Sequence, residues 1–138
     1  MNIDTFILII LLGTLFCLIF ATVYFSPIFF TKFQASRHGL KLTFKQSKLI
    51  AKNYCIKKEF FIGVKGIWGL TNIPIEKLVP HFQAGGNLLN IKNGLIELKM
   101  RNKDIDFQTL AIFDLAGRNL ILEVEKAEKR NWKFDLNE

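Results

Sequence analysis

The stretch from His81 to Asn90, "HFQAGGNLLN", contains a glycine pair that could do chemistry, because a glycine backbone can approach and cradle a phosphate group closely. A nucleotide-binding loop of this kind needs Gly-x-x-x-x-Gly-Lys-Ser/Thr directly after a β-strand, so that the lysine reaches the phosphates. This stretch contains no lysine, serine or threonine. We therefore favour a turn between two helices over a ligand-binding loop.

Other residues that commonly carry catalysis are sparse. His38 and His81 are the only histidines, and no pattern of carboxylates surrounds either of them in the sequence. No serine, cysteine or lysine occurs in a recognisable nucleophile setting. Cys17 lies in an apolar run and Cys55 lies far outside it, so the two cannot pair. We expect a protein that is not an enzyme, with no cofactor and no metal site.

A repeat explains the glycine pair better than a ligand loop does. The segment from Ile73, "IPIEKLVPHFQAGGNLL", aligns with the segment from Ile105, "IDFQTLAIFDLAGRNLI", at an offset of 32 residues. A weaker third copy begins at Leu42 with "LTFKQSKLIAKN" and lacks the glycine ending. A period of this size is typical of a two-helix repeat, so we predict tandem helical units.

Each unit has recognisable helix ends. Thr43 with Gln46 three residues later is a capping box, and Pro74 and Asp106 open the corresponding helices. A glycine can end the first helix in the left-handed conformation, and an asparagine two residues later can cap the next helix. The structural corners are therefore assigned to six residues: Gly85, Gly86, Asn87, Gly117, Arg118 and Asn119.

The second helix of each clear unit is predicted over residues 88–102 and 120–134. Leu88, Ile91 and Leu95 show the spacing of an amphipathic helix in the first of them. Pro80 lies inside the preceding helix, where it removes a hydrogen bond and should bend that helix.

An uncharged run near the N-terminus predicts a membrane helix. Residues 6–25, "FILIILLGTLFCLIFATVYF", form twenty residues without a charge, and at 1.5 Å per residue they span about 30 Å, the thickness of a bilayer core. The leader lacks the basic residues of a signal peptide, and "VYFSPIFF" at the end of the run is a poor cleavage site, so the helix should be retained. Gly13, Cys17 and Ala21 form a small-residue stripe that is a candidate for packing between membrane helices.

Charge predicts the orientation of that helix. Residues 32–58 contain eight basic residues and no acid, whereas Asp4 is the only charged residue before the apolar run. Flanks rich in lysine and arginine stay on the cytoplasmic side, so we expect a single-pass protein of the bacterial inner membrane with its N-terminus outside. We divide the chain into four parts: a short N-terminal tail (1–5), the transmembrane helix (6–25), a basic juxtamembrane region (26–58) and a cytosolic helical repeat domain (59–138).

The basic region suggests a lipid partner. Lys41, Lys45, Lys48 and Lys52 recur at spacings of four, three and four residues, which is one face of a helix. A basic amphipathic helix beside a membrane anchor is typical of binding to anionic lipid headgroups. The alternative is a solvated face that only sets the topology. We expect no nucleic-acid partner, because basic charge alone is weak evidence for one.

The glycine-containing segment "EFFIGVKGIWGLTN" allows two interpretations. It is too short to span a bilayer, but it could dip into the interface with Trp68 as an anchor. It could equally be a buried helix that ends at Gly69.

Residues 26–125 resemble the flotillin-like A proteins of bacteria. The resemblance rests on an Ala-Gly-Gly-Asn corner, a following helix and an Asp-Leu-Ala-Gly-Arg corner. The matching residues are His81, Phe82, Ala84, Gly85, Gly86, Asn87, Asp114, Leu115, Ala116, Gly117 and Arg118. The resemblance implies a membrane-anchored, oligomeric scaffolding protein that gathers in membrane foci. In that family a flotillin/stomatin-type α/β domain and a coiled-coil tail follow, and neither follows the second corner here.

We therefore expect an all-α protein with one transmembrane helix followed by tandem two-helix units. The function favoured is a non-enzymatic, self-associating membrane scaffold of flotillin-like type. The alternative is a small accessory subunit that anchors or stabilises a larger inner-membrane complex. Membrane lipids, further copies of the chain or another membrane protein are the expected partners.

Overall fold

A computed structural model describes residues 3–134, so the first two residues of the predicted N-terminal tail and the last four of the predicted repeat domain lie outside it. The described residues form helices and no strand, which confirms the all-α prediction. The helices run over Ile3–Arg37 (α1), Phe44–Lys52 (α2), Lys58–Trp68 (α3), Ile75–Gln83 (α4), Leu88–Met100 (α5), Phe107–Leu115 (α6) and Leu120–Lys129 (α7).

Helix α1 is longer than the predicted span of residues 6–25. It is 35 residues long and continues through Pro27, where the Thr31 hydroxyl donates a hydrogen bond of 2.7 Å to the Pro27 carbonyl oxygen. Between Ile7 and Tyr24 the large apolar side chains are 49% to 71% exposed, so the rest of the described chain does not cover them. By length and composition α1 is able to cross a membrane.

The remaining helices follow one another as three successive two-helix units, which we call hairpins: α2 with α3, α4 with α5, and α6 with α7. The weak third copy in the sequence therefore corresponds to a real hairpin. One continuous core runs through all three, from Ala35 near the end of α1 to Val124. The second helices of the hairpins pack side by side, with α5 lying between α3 and α7.

Two glycines permit that close packing. Leu88, the first residue of α5, packs directly on Gly63 of α3, at the place where a side chain on Gly63 would stand. One hairpin later, a Cβ atom on Gly94 of α5 would lie 2.8 Å from the Cβ of Leu120 in α7. The same glycine–leucine contact therefore joins both pairs of neighbouring hairpins. Sequence analysis missed it, because each glycine lies mid-helix and resembles a weak point rather than a contact.

Helix α3 settles the two interpretations of the glycine-containing segment. Phe60, Phe61, Val64 and Ile67 are at most 1% exposed, so this segment supplies a large part of the core. The Trp68 indole N–H donates a hydrogen bond of 2.8 Å to the Ile73 carbonyl oxygen and ties the end of α3 to the next hairpin. The segment is a buried helix.

Helices α5 and α7 are shorter than predicted. They end at Met100 and Lys129, because Asn102 (φ 53°) and Asn131 (φ 58°) adopt the left-handed conformation and stop each helix. The chain beyond α7 turns back, and Phe134 packs edge-to-face on a core phenylalanine at a centroid distance of 5.5 Å. Helix α4 accommodates Pro80 within its nine residues.

Gly94→Ala should destabilise the fold by about 1–3 kcal/mol, because the new methyl group overlaps the Leu120 Cβ and the two helices must move apart. This loss outweighs the gain of about 1 kcal/mol in helix propensity. Gly69→Ala is the matched control, since its methyl group would lie 3.5 Å from its nearest neighbour, and it should change stability by less than about 0.5 kcal/mol. Thermal melting of the full chain in detergent, followed by tryptophan fluorescence, measures both; equal melting of the two variants would contradict the glycine contact.

Candidate functional site

The corners of the second and third hairpins share one geometry. Gly85 (φ 91°) and Gly117 (φ 74°) both take the left-handed conformation directly after a helix. The residue after each glycine donates its backbone N–H to a carbonyl of the preceding helix, Gly86 to His81 at 3.0 Å and Arg118 to Phe113 at 3.1 Å. These bonds satisfy carbonyl groups that a helix end leaves free, so each corner is a closed structural turn.

The first hairpin makes the same turn without glycine. Tyr54 has φ 54°, and the next residue, Cys55, donates its backbone N–H to the Ile50 carbonyl at 3.2 Å. The Tyr54 side chain is 87% exposed, so no packing compensates its left-handed backbone. This corner could not be recognised in the sequence, because tyrosine occupies the position that glycine holds in the other two corners.

The asparagine at the end of each glycine corner caps the N-terminus of the next helix. The Asn87 side chain accepts backbone hydrogen bonds from Leu89 at 3.0 Å and from Asn90 at 3.3 Å. Asn119 accepts one from Ile121 at 3.0 Å. The capping box predicted at Thr43 is confirmed, since Thr43 and Gln46 exchange hydrogen bonds of 3.0 and 3.3 Å.

A buried polar cluster joins the second corner to the third. His81 Nε2 donates to Asp114 Oδ2 at 2.8 Å, and the two side chains are 3% and 2% exposed. Asp114 also accepts the Asn87 backbone N–H and the Asn90 side-chain amide, each at 2.6 Å. Gly86 lies against the His81 ring, and any side chain there would overlap the ring.

Asn90 and Arg118 complete this cluster. The Asn90 amide N–H₂ donates to the Arg118 carbonyl at 2.8 Å, and its oxygen accepts the backbone N–H of Leu120 at 3.1 Å. The Arg118 guanidinium lies 3.5 Å from the Glu123 carboxylate. Burial raises the pKa of Asp114, but the hydrogen bonds from His81, Asn90 and Asn87 lower it further, so its pKa lies below the ordinary value and the carboxylate is ionised at neutral pH.

The cluster holds hairpins together rather than presenting a reactive group. Both members of the His81–Asp114 pair are enclosed, and His81 Nδ1 is buried without a hydrogen-bond partner among the described residues. Within residues 3–134 no group of three or more histidine, cysteine, aspartate or glutamate side chains could hold a metal ion. Sequence analysis missed this pair because its members lie 33 residues apart. The available signal was an acid at Asp114, on the same inward stripe of α6 as Phe107 and Leu110.

The four lysines predicted to contact lipid do not all lie on one helix. Lys45, Lys48 and Lys52 lie on α2 and are exposed, whereas Lys41 is exposed in the segment that precedes this helix. Helix α2 packs on the C-terminal half of α1. Lys48 Nζ lies 5.8 Å from the centre of the Tyr24 ring.

The small-residue stripe lies on the uncovered part of α1. Nothing lies within 4 Å of the position that a Cβ on Gly13 would take, and Cys17 is exposed. Cys17 and Ala21 line a shallow, almost wholly apolar groove together with four aromatic residues. These are Phe16, Phe20, Tyr24 and Phe25.

This geometry defines a class of protein, one long apolar helix followed by a stack of helical hairpins, and the comparisons with known proteins give it a family context. The chain is 27% identical to the flotillin-like protein FloA of Parabacteroides distasonis over 125 residues, which are 88% of this chain and 37% of that protein. It is 35% identical to FloA of Dictyoglomus turgidum and 33% identical to FloA of Bacteroides fragilis, in each case over 57 residues that are 41% of this chain and 17% of the relative.

The predicted resemblance to flotillin-like A proteins is thus confirmed as sequence similarity. The chain spans less than two fifths of the length of these relatives. No family model matches the chain, and no solved structure matches it. Together with the long apolar helix, the similarity to these relatives indicates a membrane-anchored protein.

The corner geometry predicts opposite effects of two substitutions on stability. Gly117→Ala should destabilise the fold by about 1–2 kcal/mol, because an L-residue is strained at a φ of 74°. Tyr54→Gly should stabilise it by up to about 1 kcal/mol, because glycine relieves the same strain at an exposed site. Chemical denaturation of the full chain in detergent measures both, and a loss of stability in Tyr54→Gly would contradict the shared corner geometry.

Asp114→Asn should destabilise the fold by at least about 2 kcal/mol, since three donors lose a charged acceptor and hydrogen bonds to charged groups contribute about 1.5–3 kcal/mol each. Asp104→Asn makes the same chemical change at an exposed site and should stay within about 0.5 kcal/mol.

The difference in stability between wild type and Asp114→Asn should depend on pH, because the pKa of Asp114 is lowered. Ionised Asp114 contributes its full stabilisation above about pH 3.9, the ordinary value of the unfolded chain, and this contribution disappears as the pH falls through the lower folded value. The stability gap between wild type and Asp114→Asn should therefore narrow below about pH 4. A gap that stays constant down to acid unfolding would contradict an ionised Asp114.

Proposed function

We propose that this chain is a non-enzymatic scaffold of flotillin-like type, which self-associates in the bacterial inner membrane. The observation that carries the proposal is the contrast between the two parts of the structure. The hairpins bury most of their apolar residues in one core, whereas α1 leaves its large apolar side chains between Ile7 and Tyr24 uncovered. Lipid and neighbouring membrane helices are the surroundings that such a helix requires.

The orientation rests on charge. The eight bases from Lys32 to Lys58 follow the apolar run after a short uncharged segment, and Asp4 is the single charge on its other side. By the positive-inside rule the N-terminus lies outside and the hairpins lie in the cytoplasm. The bases then face the cytoplasmic leaflet, where anionic lipid headgroups are the natural partner for them.

The contact between copies is proposed to run along Gly13, Cys17 and Ala21. Helices in lipid gain little from hiding apolar side chains from each other, and small residues favour association because they allow close packing. The open, apolar groove lined by Cys17, Ala21 and four aromatic side chains offers a surface against which a second α1 can pack. The chain is similar to flotillin-like proteins. This resemblance implies an oligomeric scaffold and supports the same assignment.

The test is purification of the full chain in a mild detergent, followed by mass measurement and by mild oxidation to join Cys17 residues of neighbouring copies. We expect homo-oligomers with a Cys17 disulfide. Cys55 should not interfere, because it is buried and burial raises the pKa of its thiol. Gly13→Leu combined with Ala21→Leu should reduce the Cys17 disulfide severalfold, since the added side chains hold the helices apart.

The matched control is Thr22→Leu combined with Val23→Leu, which enlarges the helix on faces turned away from the stripe and should leave the disulfide yield unchanged. Equal yields in both double variants would contradict contact along the stripe. A monomer that copurifies with one foreign protein at a fixed ratio would contradict the scaffold and support the accessory-subunit alternative.

A further inference from the structure

The junction of α1 and α2 lies at the end of the predicted membrane span. Phe44, in the first turn of α2, contacts Phe25 at a ring-centroid distance of 6.3 Å. One turn later, Lys48 places its ammonium group over the ring of Tyr24. Tyr24 and Phe25 are the last two residues of the predicted span. The first turns of α2 therefore lie level with the end of that span.

With α1 inserted as proposed, this contact indicates the depth of the membrane border. A lysine ammonium is costly inside hydrocarbon, so Lys48 requires the headgroup region at the level of Tyr24. Tyrosine is itself enriched at that boundary, since its ring is apolar and its hydroxyl is polar. Phe44 is 47% exposed at this height, where an aromatic side chain can enter the outer edge of the acyl region.

The charge around Lys48 is uniformly positive in the sequence. Between Asp4 and Glu59 the chain has no acid, and Lys45 and Lys52 share the exposed face of α2 with Lys48. A site of this charge attracts an anion, and phosphate groups of lipids are the anions present at this height.

We propose that Lys48, Tyr24 and Phe44 form a binding site for the headgroup of an anionic phospholipid in the leaflet next to the hairpins. The Lys48 ammonium and the Tyr24 hydroxyl donate hydrogen bonds to the phosphate oxygens, and the Phe44 ring inserts beside the acyl chains. Lys45 raises the local positive potential. This site rests on the proposed insertion of α1. Of the four lysines predicted to contact lipid headgroups, it assigns specific headgroup binding to Lys48.

The test measures lipid retention by the full chain in mild detergent, with bound lipids counted by native mass spectrometry during titration with phosphatidylglycerol or phosphatidylcholine. Wild type should prefer phosphatidylglycerol. Lys48→Gln should weaken phosphatidylglycerol binding about fivefold, because it removes an ammonium group that donates to the phosphate. It should weaken phosphatidylcholine binding less, because the choline group offsets the phosphate charge of that lipid. Lys48→Arg should restore binding, because arginine also binds phosphate well.

Lys52→Gln is the matched control, since it removes the same charge from the same face of α2 a turn further from Tyr24, and it should weaken binding less than twofold. Equal losses in Lys48→Gln and Lys52→Gln would overturn the site in favour of diffuse attraction. Displacement of phosphatidylglycerol by inorganic phosphate at equal concentration would overturn the assignment to a lipid.

The Cys17 disulfide, measured in the same samples, separates this site from the proposed function. Oligomers that persist while wild type shows no phosphatidylglycerol preference would overturn the lipid site alone. A lipid preference that depends on Lys48 in a chain without homo-oligomers would support the site and contradict the scaffold.

Discussion

The uncovered apolar surface of α1 is the constraint on which the rest of this protein depends. Its large side chains from Ile7 to Tyr24 are about half to two thirds exposed, and water cannot accommodate so much apolar surface on one helix. A bilayer can, and inserting α1 fixes the height of everything attached to it. Helix α2 packs on the end of the apolar run. In the proposed insertion the basic region therefore meets the headgroups, and the stack of hairpins begins directly above them.

The hairpins beyond α2 are held together by short-range contacts between neighbours. Leu88 packs on Gly63 and Leu120 packs on Gly94, so each second helix lies closely against the next. The buried His81–Asp114 pair adds a polar connection between the second and third hairpins. Such a stack is stabilised mainly by contacts between adjacent units, which suits a rigid body carried by a single membrane helix.

Local signals in the sequence predicted much of this fold. The capping box at Thr43 and the repeated glycine–asparagine corners lie within a few residues of the helix ends that they create, so the sequence shows them directly. The left-handed Tyr54 was hidden, because its backbone conformation is imposed by the surrounding hairpin and tyrosine does not favour it. Asp114 was missed for a related reason: its partner His81 is distant in sequence, and only the stacking of hairpins brings the two together. The predicted α5 and α7 were too long, because the asparagines that stop these helices resemble ordinary helix residues in the sequence.

The orientation of α1 in the membrane is the central claim, since the cytoplasmic hairpins and the lipid contacts both depend on it. Its most direct test is a pair of fusions to the C-terminus of the full chain, one to a reporter active only in the periplasm and one to a reporter that fluoresces only in the cytoplasm. We expect the cytoplasmic reporter to be active and the periplasmic reporter to be silent, because eight bases follow the apolar run. Periplasmic activity with a silent cytoplasmic fusion would contradict the orientation.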